Sequence, residues 1–490
     1  MRRRVGGSRT FGCKAGPMNS RKLAQWAGLA AGVAFVLYAV YSHLQYFRDV
    51  SFLGGILLIE IIIASLWKYD QRFFVLLMIA FVWAGMNVPF QGAWTGGRWV
   101  VLAAGAVTGY VVWMKVPRSH FKSIHLIAFF CVIAAFVSAS VSTYVQMASL
   151  KALSLLLLFL YCCSGARVAV LGREERFFKG LLLACEIATV GTAVCYLGLG
   201  AGIWGNPNSL GAAMSIGIFP LLLWGWLTAE GPVLKTRRLA ALLLCSYLIF
   251  FSMARAAMIS LILVTLVFCV CLRQYKLLAK VVGFVVFLMA VSGMVAPASL
   301  NQRLSALEDE VLYKGHKDEG MLGSRKTPWE DSIASIKQHP LFGTGYGTSP
   351  TGEDPGLYFG RFASSAETVR EHGSSYMTIA GWVGLLGVVP FLALLALTAS
   401  NVWRVCVWMK RTTNFRHYSI PLAMVLLAGF VHAGFEDWLF AVGAYPSIFF
   451  WTFAFLLADL MPATLRAPAS AIFVRPAHLP AHFGAVVSNR

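Results

Sequence analysis

The run Ala152-Leu153-Ser154-Leu155-Leu156-Leu157-Leu158-Phe159-Leu160 is one of a series of apolar stretches that fills the chain from Leu23 to Ala296 almost without a break. As a helix, a stretch near 20 residues reaches across about 30 Å of hydrocarbon. A polar segment follows from Pro297 to His372, and three further apolar stretches close the chain. The pattern reads as an all-α polytopic membrane protein with one large inserted loop. Composition agrees: 58% of the 490 residues are hydrophobic and 13% charged, with a mean hydropathy of +0.70. A soluble domain carries about 25% charged residues.

Spans are expected near 23–41, 51–67, 73–90, 99–114, 124–142, 149–166, 177–200, 209–228, 239–253, 256–272, 277–296, 374–398, 419–434 and 442–460. That makes about 14 transmembrane helices, with 12–14 as the range. The chain then divides into a cytoplasmic basic N-terminus (1–22), a first membrane part (23–296), an extracytoplasmic catalytic loop (297–373), a second membrane part (374–460) and a cytoplasmic tail (461–490). The tail is rich in Ala and Pro, a composition expected to be disordered.

The net charge of +20 invites a nucleic-acid partner, but its distribution does not fit one. The short segments on one side are nearly free of Lys and Arg, and eight basic residues of that side lie in the long loop. Long loops count little in the positive-inside rule. The basic excess is a topology signal that puts both termini in the cytoplasm, with some attraction to anionic lipid. Residues 1–22 hold seven basic side chains, including Arg2-Arg3-Arg4. They resemble the start of a signal peptide. The following apolar run is near full spanning length and lacks a small-x-small cleavage site, so a retained first helix is expected. None of the ten cysteines lies in the loop, and Cys162-Cys163 and Cys269/Cys271 lack metal-ligand spacing. They read as packing residues.

The loop carries its own helix signal. Thr327 is placed to N-cap, Pro328 to take the first helical position, and Glu330 to complete a capping box. Trp329, Ile333 and Ile336 then form an apolar stripe expected to pack on the membrane domain or rest at the lipid surface, and His339-Pro340 ends the helix. Pro340-Leu341-Phe342-Gly343-Thr344-Gly345-Tyr346-Gly347 follows. Its glycines neither follow a strand nor open a helix, so a dinucleotide fingerprint is rejected. A helix stop and close backbone approach are expected instead.

Arg255, in Phe251-Ser252-Met253-Ala254-Arg255, sits at a turn between two apolar runs. It is either a snorkelling helix-end residue or an anion ligand in a polar cavity. Arg325 and Lys326 precede the expected helix start, where free N–H groups and the dipole favour phosphate, although a solvated basic turn would look the same. Arg303 and Arg370 are weaker candidates in the same loop. In Asn206-Pro207-Asn208-Ser209, Asn208 or Ser209 is expected to cap the next span. His372 stands where the loop re-enters the membrane. It is suited to take a proton from a sugar hydroxyl, with Glu371 beside it to orient or assist it. Glu60 and Glu186 fall inside spans, where carboxylates are either functional or paired within the bundle. The outer pair Glu436-Asp437 reads as a solvated loop. No metal motif is present in the loop, so neither metal nor cofactor is expected.

In order, Asn206-Pro207-Asn208, Ser252 to Arg255, Arg325 with Trp329, Pro340-Leu341-Phe342-Gly343-Thr344-Gly345, His372 and Gly381-Trp382-Val383-Gly384-Leu385-Leu386-Gly387 resemble the O-antigen ligase and polymerase superfamily of bacterial envelope glycosyltransferases, over roughly residues 130–460. The resemblance implies a GT-C-like helical bundle in the bacterial inner membrane with its large loop in the periplasm. It implies an undecaprenyl-diphosphate-linked glycan as donor, and lipid A–core or another glycan as acceptor. It also implies Arg255 and Arg325 on the diphosphate and His372 as base, with Asn208, Arg303, Lys326, Arg370 and Glu371 in support. Transfer is then expected to be inverting and metal-independent. The family His is often followed by Asn, and here by Gly373. The span count also exceeds the dozen usual among ligases, which leans away from a typical ligase. A lipid-linked oligosaccharide flippase and a non-catalytic envelope-assembly protein are the competing readings.

Overall fold

The computed structural model describes residues 71–88, 91–114, 121–276, 278–279, 323–348 and 373–465. The expected spans at 23–41 and 51–67, the one at 277–296 apart from residues 278–279, and residues 466–490 of the tail lie outside them. So do Glu60, Arg303, Arg370, Glu371 and His372. Each of the other expected spans coincides with a helix. In chain order these are α1 (Gln71–Ala84), α2 (Gln91–Met114), α3 (Ser123–Ser140), α4 (Val145–Val170), α5 (Glu174–Gly198), α6 (Pro207–Leu227), α7 (Pro232–Phe251) and α8 (Arg255–Cys271). The loop helix α9 (Gly323–Gln338) comes next, then α10 (Ser375–Thr412), α11 (Ser419–Ala433) and α12 (Tyr445–Leu460). Among the described residues, six helices are long and apolar enough to cross a membrane, and all regular structure is helical.

The last helix is central. Every residue of α12 from Pro446 to Leu460 is buried, as are most of α11. A helix apolar on all sides has no lipid-facing side to offer and must be enclosed by others. Trp451 is fully buried among Phe159, Phe440 and Phe450, with ring centroids 5.1–5.5 Å away, and its indole N–H donates to the Leu439 carbonyl at 2.8 Å. Lipid tails are as apolar as these side chains, so close packing rather than water exclusion holds such helices together. Gly105 of α2 and Gly429 of α11 leave room for Phe73 and Phe450: a Cβ there would lie 2.3 and 2.5 Å from ring carbons. The outer helices α3, α5 and α8 turn Phe129, Phe130, Ile187 and Ile262 outward.

Two ion groups built on buried carboxylates join different helices. Asp459 of α12 accepts from Arg167 Nε at 2.6 Å and Nη2 at 3.2 Å, and Lys122 Nζ lies 2.7 Å from its Oδ1. The side chains of Arg167 and Asp459 are 7% and 6% exposed, so the pair is fully desolvated. Glu186 of α5 pairs with Arg237 at 3.0 Å and Arg238 at 3.6 Å of α7. Of the two readings open for Glu186, the structure places it in a pair within the bundle.

The loop is fastened to the bundle through a break in α10. Gly384 has φ 68 and ψ −179, which interrupts the helical ladder. That conformation is essentially restricted to glycine. The break frees backbone groups on either side, and residues 340–345 satisfy them. Thr344 N donates to Gly381 O at 3.0 Å and Gly345 N to Trp382 O at 3.1 Å. In return, Leu385 N donates to Pro340 O at 2.8 Å and Leu386 N to Leu341 O at 3.2 Å. Ser138 Oγ of α3 also donates to Trp382 O, at 2.6 Å. The two glycine-bearing stretches noted in the sequence are thus two halves of one joint. Tyr346 is buried beyond it and donates to Phe440 O at 2.7 Å, and burial pushes its phenol upward. The Lys151 ammonium donates to the Gly347 carbonyl.

Two local expectations are corrected. Helix α9 begins at Gly323, so Thr327 is not its cap and Pro328 lies inside it. As the sixth residue of α9, Pro328 forfeits the intrahelical hydrogen bond that its position would otherwise donate. Arg325 and Lys326 therefore belong to the first turn of α9 rather than preceding it. Its packed residues also differ from the expected stripe: Ser332 is buried and Trp329 and Ile336 half-buried, while Ile333 is 42% exposed. Gly381 of α10 faces Ser335 and Ile336 at ordinary contact distance. The expected helix end at His339-Pro340 is where α9 stops.

Candidate active site at one end of the bundle

Four helices begin at the same end of the bundle. Asn206 caps α6: its backbone is extended and its Oδ1 accepts from Ser209 N at 2.7 Å, with Pro207 in the first helical position. The expected cap, Asn208 or Ser209, is corrected to Asn206, because an extended residue before Pro holds the N-cap geometry itself. The turn before α8 runs through Met253 at φ 50, with Ala254 N donating to Ser252 Oγ at 3.3 Å. Arg255 is the first residue of α8 and is half-buried. Gly211 lets α6 meet this turn, since a Cβ would lie 2.6 Å from Ala254 Cβ and 2.9 Å from Ser252 Oγ. Tyr445, first residue of α12, donates to the Ser209 carbonyl at 2.8 Å. The fourth start is Ser375 of α10, whose N–H and hydroxyl both donate to the Glu436 carbonyl, at 3.1 and 2.6 Å.

Glu436 joins these elements with its side chain as well. Its Oε1 accepts from Asn208 Nδ2 at 3.3 Å. The turn that carries it is braced by Leu439 N donating to Ser375 Oγ at 3.0 Å and Trp438 Nε1 donating to His432 Nδ1 at 3.0 Å. The reading of Glu436-Asp437 as a solvated loop is corrected: both are half-buried. A short turn between two enclosed helices cannot swing out into water.

The loop reaches the same end. Trp329 Nε1 of α9 donates to the Gly373 carbonyl at 3.3 Å, and the indole lies against Gly373, where a Cβ would approach Trp329 Cδ1 to 2.9 Å. Gly373 has φ 73. That left-handed region is reached readily by Gly and, among other residues, best by Asn. Gly373→Asn and Gly373→Val both bring a Cβ against the Trp329 ring and are expected to destabilise, by about 1–3 kcal/mol for Val and by less for Asn, which adopts the left-handed backbone more readily, read as a fall in the melting temperature in detergent.

The structure thus brings Asn208, Arg255, Glu436 and Gly373, the residue after His372, to one end. It puts Arg325 and Lys326 in the first turn of the helix whose Trp329 touches that end. Sequence reasoning did not connect Glu436 to the site; its only signal was a carboxylate beside an apolar span.

Among the described residues, the fold and this end describe a polytopic helical membrane protein in which segment 323–348 is fastened to α10 and touches the converging helix starts through Trp329. Residues 240–392 match the family model described as O-antigen ligase, which supports the O-antigen ligase and polymerase superfamily for this segment and a membrane glycosyltransferase of that general type. The matched segment holds Ser252 to Arg255, α9, the 340–345 joint and the α10 break. No curated protein matches the chain.

Proposed function

We propose that the protein transfers a glycan from an undecaprenyl-diphosphate carrier to an acceptor hydroxyl at the periplasmic face of the inner membrane. The observation that carries this reading is the meeting of the α6, α8, α10 and α12 N-termini beside Arg255. Each helix start contributes the positive end of its dipole, a setting that favours an anion. A guanidinium adds a planar fork suited to phosphate oxygens. The Arg325 and Lys326 turn of α9 supplies further positive charge from the loop.

In the proposed reaction the acceptor oxygen attacks the anomeric carbon from the face opposite the diphosphate. The new C–O bond forms as the bond to the carrier breaks, and its electron pair leaves on the diphosphate oxygen. Arg255 and Arg325 stabilise that growing charge, and His372 takes the hydroxyl proton. Asn208, Lys326, Arg303, Arg370 and Glu371 support the two substrates. The mechanism inverts the anomeric centre and needs no metal, so transfer should continue in excess chelator. A cavity of about 540 Å³ between α3 and α10, lined by Phe130, Val137, Phe342, Val383, Leu386 and Pro390, is open on one flank and suits a stretch of polyprenyl chain.

The test is transfer by purified protein in detergent, where no gradient exists to drive a flippase. His372→Ala should lower turnover by about 10²–10⁴-fold at normal abundance. Arg255→Lys should also be poor, since an ammonium lacks the fork. Full activity in His372→Ala removes the assigned base, and carrier-to-acceptor transfer that is absent from wild type removes the function. Glycans of a deletion strain then separate the subclasses: single repeat units indicate a polymerase, and long chains left on the carrier indicate a ligase.

A further inference from the structure

We infer that Arg98 of α2 binds a phosphate group beside the candidate site. The inference does not depend on the proposed transfer, and its residues lie outside the segment that matches the family model. Arg98 reaches the connection between α11 and α12, where its Nη1 donates to the Gly443 carbonyl at 2.8 Å. Two residues on, Tyr445 is bonded to the start of α6, so this guanidinium stands at the same end of the bundle as Arg255. Its cradle is aromatic. Cζ lies 5.0 Å from the Trp99 ring centroid and 5.8 Å from that of Phe81, and the two rings meet edge to face. Ring faces attract the cation but accept none of its in-plane N–H bonds. Among the described residues, no carboxylate pairs with Arg98.

One bond leaves most of the fork unused, since a guanidinium carries five N–H donors. Nε is buried without a hydrogen-bond partner. Nη2 makes no hydrogen bond to a described residue, yet it is not sealed from the surface. Nε and Nη2 share one edge of the plane, the edge that takes two oxygens of one phosphate side by side. A buried donor without a partner is costly, which favours an oxygen there. Gly443 keeps the approach clear. A Cβ at this position would lie 3.6 Å from Nη2 and 3.9 Å from Cζ, and no positive φ requires glycine here. What the missing side chain provides is space beside the fork. Depth selects phosphate among anions. Arg98 is the eighth residue of α2, about 10 Å along the axis from its start, and helical side chains lean toward that start. The apolar part of α2 opens at Trp94. The guanidinium therefore sits at the level of lipid headgroups, where tryptophan is enriched and phosphates are the abundant anions. Two sources carry that group: a phospholipid headgroup, or free phosphate from the water side.

The experiment measures binding to the purified full chain in a nonionic detergent, by melting temperature and by native mass spectrometry. Three probes are compared: phosphatidylglycerol, inorganic phosphate, and diacylglycerol, which shares the lipid tails and lacks the phosphate. Phosphatidylglycerol should raise the melting temperature and stay bound in the spectrometer. Arg98→Gln should weaken its binding about tenfold or more. Arg98→Lys should fall between, since an ammonium keeps the charge without the fork. Gly443→Leu retains the guanidinium and its carbonyl acceptor but sets a side chain beside Nη2. It should show the same loss as Arg98→Gln, and it decides the matter if Arg98→Gln fails to fold. Binding of phosphatidylglycerol alone supports the inference and assigns the phosphate to a headgroup. Binding of inorganic phosphate that both variants weaken supports it and assigns a free anion. Wild-type phosphate binding in Arg98→Gln and Gly443→Leu overturns the inference. So does binding of neither phosphate probe, or an equal loss of diacylglycerol, which would place the effect on the tails.

Discussion

Asp459→Ala is expected to destabilise the protein strongly before it alters any chemistry. Its carboxylate holds the buried Arg167 guanidinium through two hydrogen bonds, and Lys122 from the start of α3. Arg167 also lies over the Trp113 ring, 5.7 Å from its centroid, and its side chain is only 7% exposed. Removing one partner of a buried pair leaves a charge without compensation and costs about 3–5 kcal/mol. That is a large share of the stability of an ordinary domain, about 5–15 kcal/mol. Membrane abundance and the melting temperature in detergent should both fall sharply. The double variant Arg167→Leu/Asp459→Leu should recover a good part of the loss, because it leaves no buried charge, and Lys122 is 36% exposed and can turn outward. A double variant as unstable as the sum of the singles would show that the pair does not interact as its geometry states.

Gly384→Val is expected to have the second large effect, on the loop rather than on the whole bundle. A Cβ at this position would lie 2.4 Å from the carbonyl carbon and oxygen of Leu341 and 2.5 Å from Gly343 N. Those are backbone atoms, which cannot swing aside as a flexible side chain would. Val also tolerates φ 68 poorly. Residues 340–345 must then leave, and the hydrogen bonds on both sides of the break go with them. Each buried polar group left unsatisfied costs about 1–3 kcal/mol. Transfer should fall below detection while the bundle still purifies, and amide exchange at Leu385 and Leu386 should rise by orders of magnitude. Protease cleavage between residues 340 and 348 should accelerate in the same variant. Wild-type exchange at those two amides would show that the joint does not depend on this glycine.

Much of the bundle was legible because its signal is local. Apolar runs of spanning length mark helices whatever their neighbours are, and the described helices lie where those runs lie. The tight pair around Arg255 separates into α7 and α8, as the lone charge between two runs suggests. The break in α10 was not legible. Gly381-Trp382-Val383-Gly384-Leu385-Leu386 reads as ordinary apolar helix, and only the paired stretch at 340–345 explains why the ladder opens. The helix α10 has 38 residues, which would extend about 57 Å if straight, well beyond a hydrocarbon core. Length alone could have raised the question. The Arg167–Asp459 pair was likewise hidden: its members stand 292 positions apart, and nothing in either neighbourhood names the other.

The candidate site was legible as a set of residue types and less so as a place. Asn208, Arg255 and the loop motifs were singled out, and contacts through Gly211, Glu436 and Trp329 bring their surroundings to one end. The cap at Asn206 was missed because Asn-Pro reads as a block to helix, although the blocked residue itself supplies the capping oxygen. The start of α9 was placed too late, because Thr327-Pro328 carries a start signal that tertiary packing overrode. Glu436 was missed for a different reason. A carboxylate next to a span looks the same in sequence whether it faces water or a pocket.

The central place of α12 has a consequence for biogenesis. During synthesis Lys122 and Arg167 emerge long before the ribosome reaches Asp459, and until then the carboxylate that bridges them is missing. The inner scaffold closes only when the final span arrives and neutralises them. A chain truncated before α12 therefore lacks the carboxylate that ties the start of α3 to the end of α4, and in that it differs from a complete molecule.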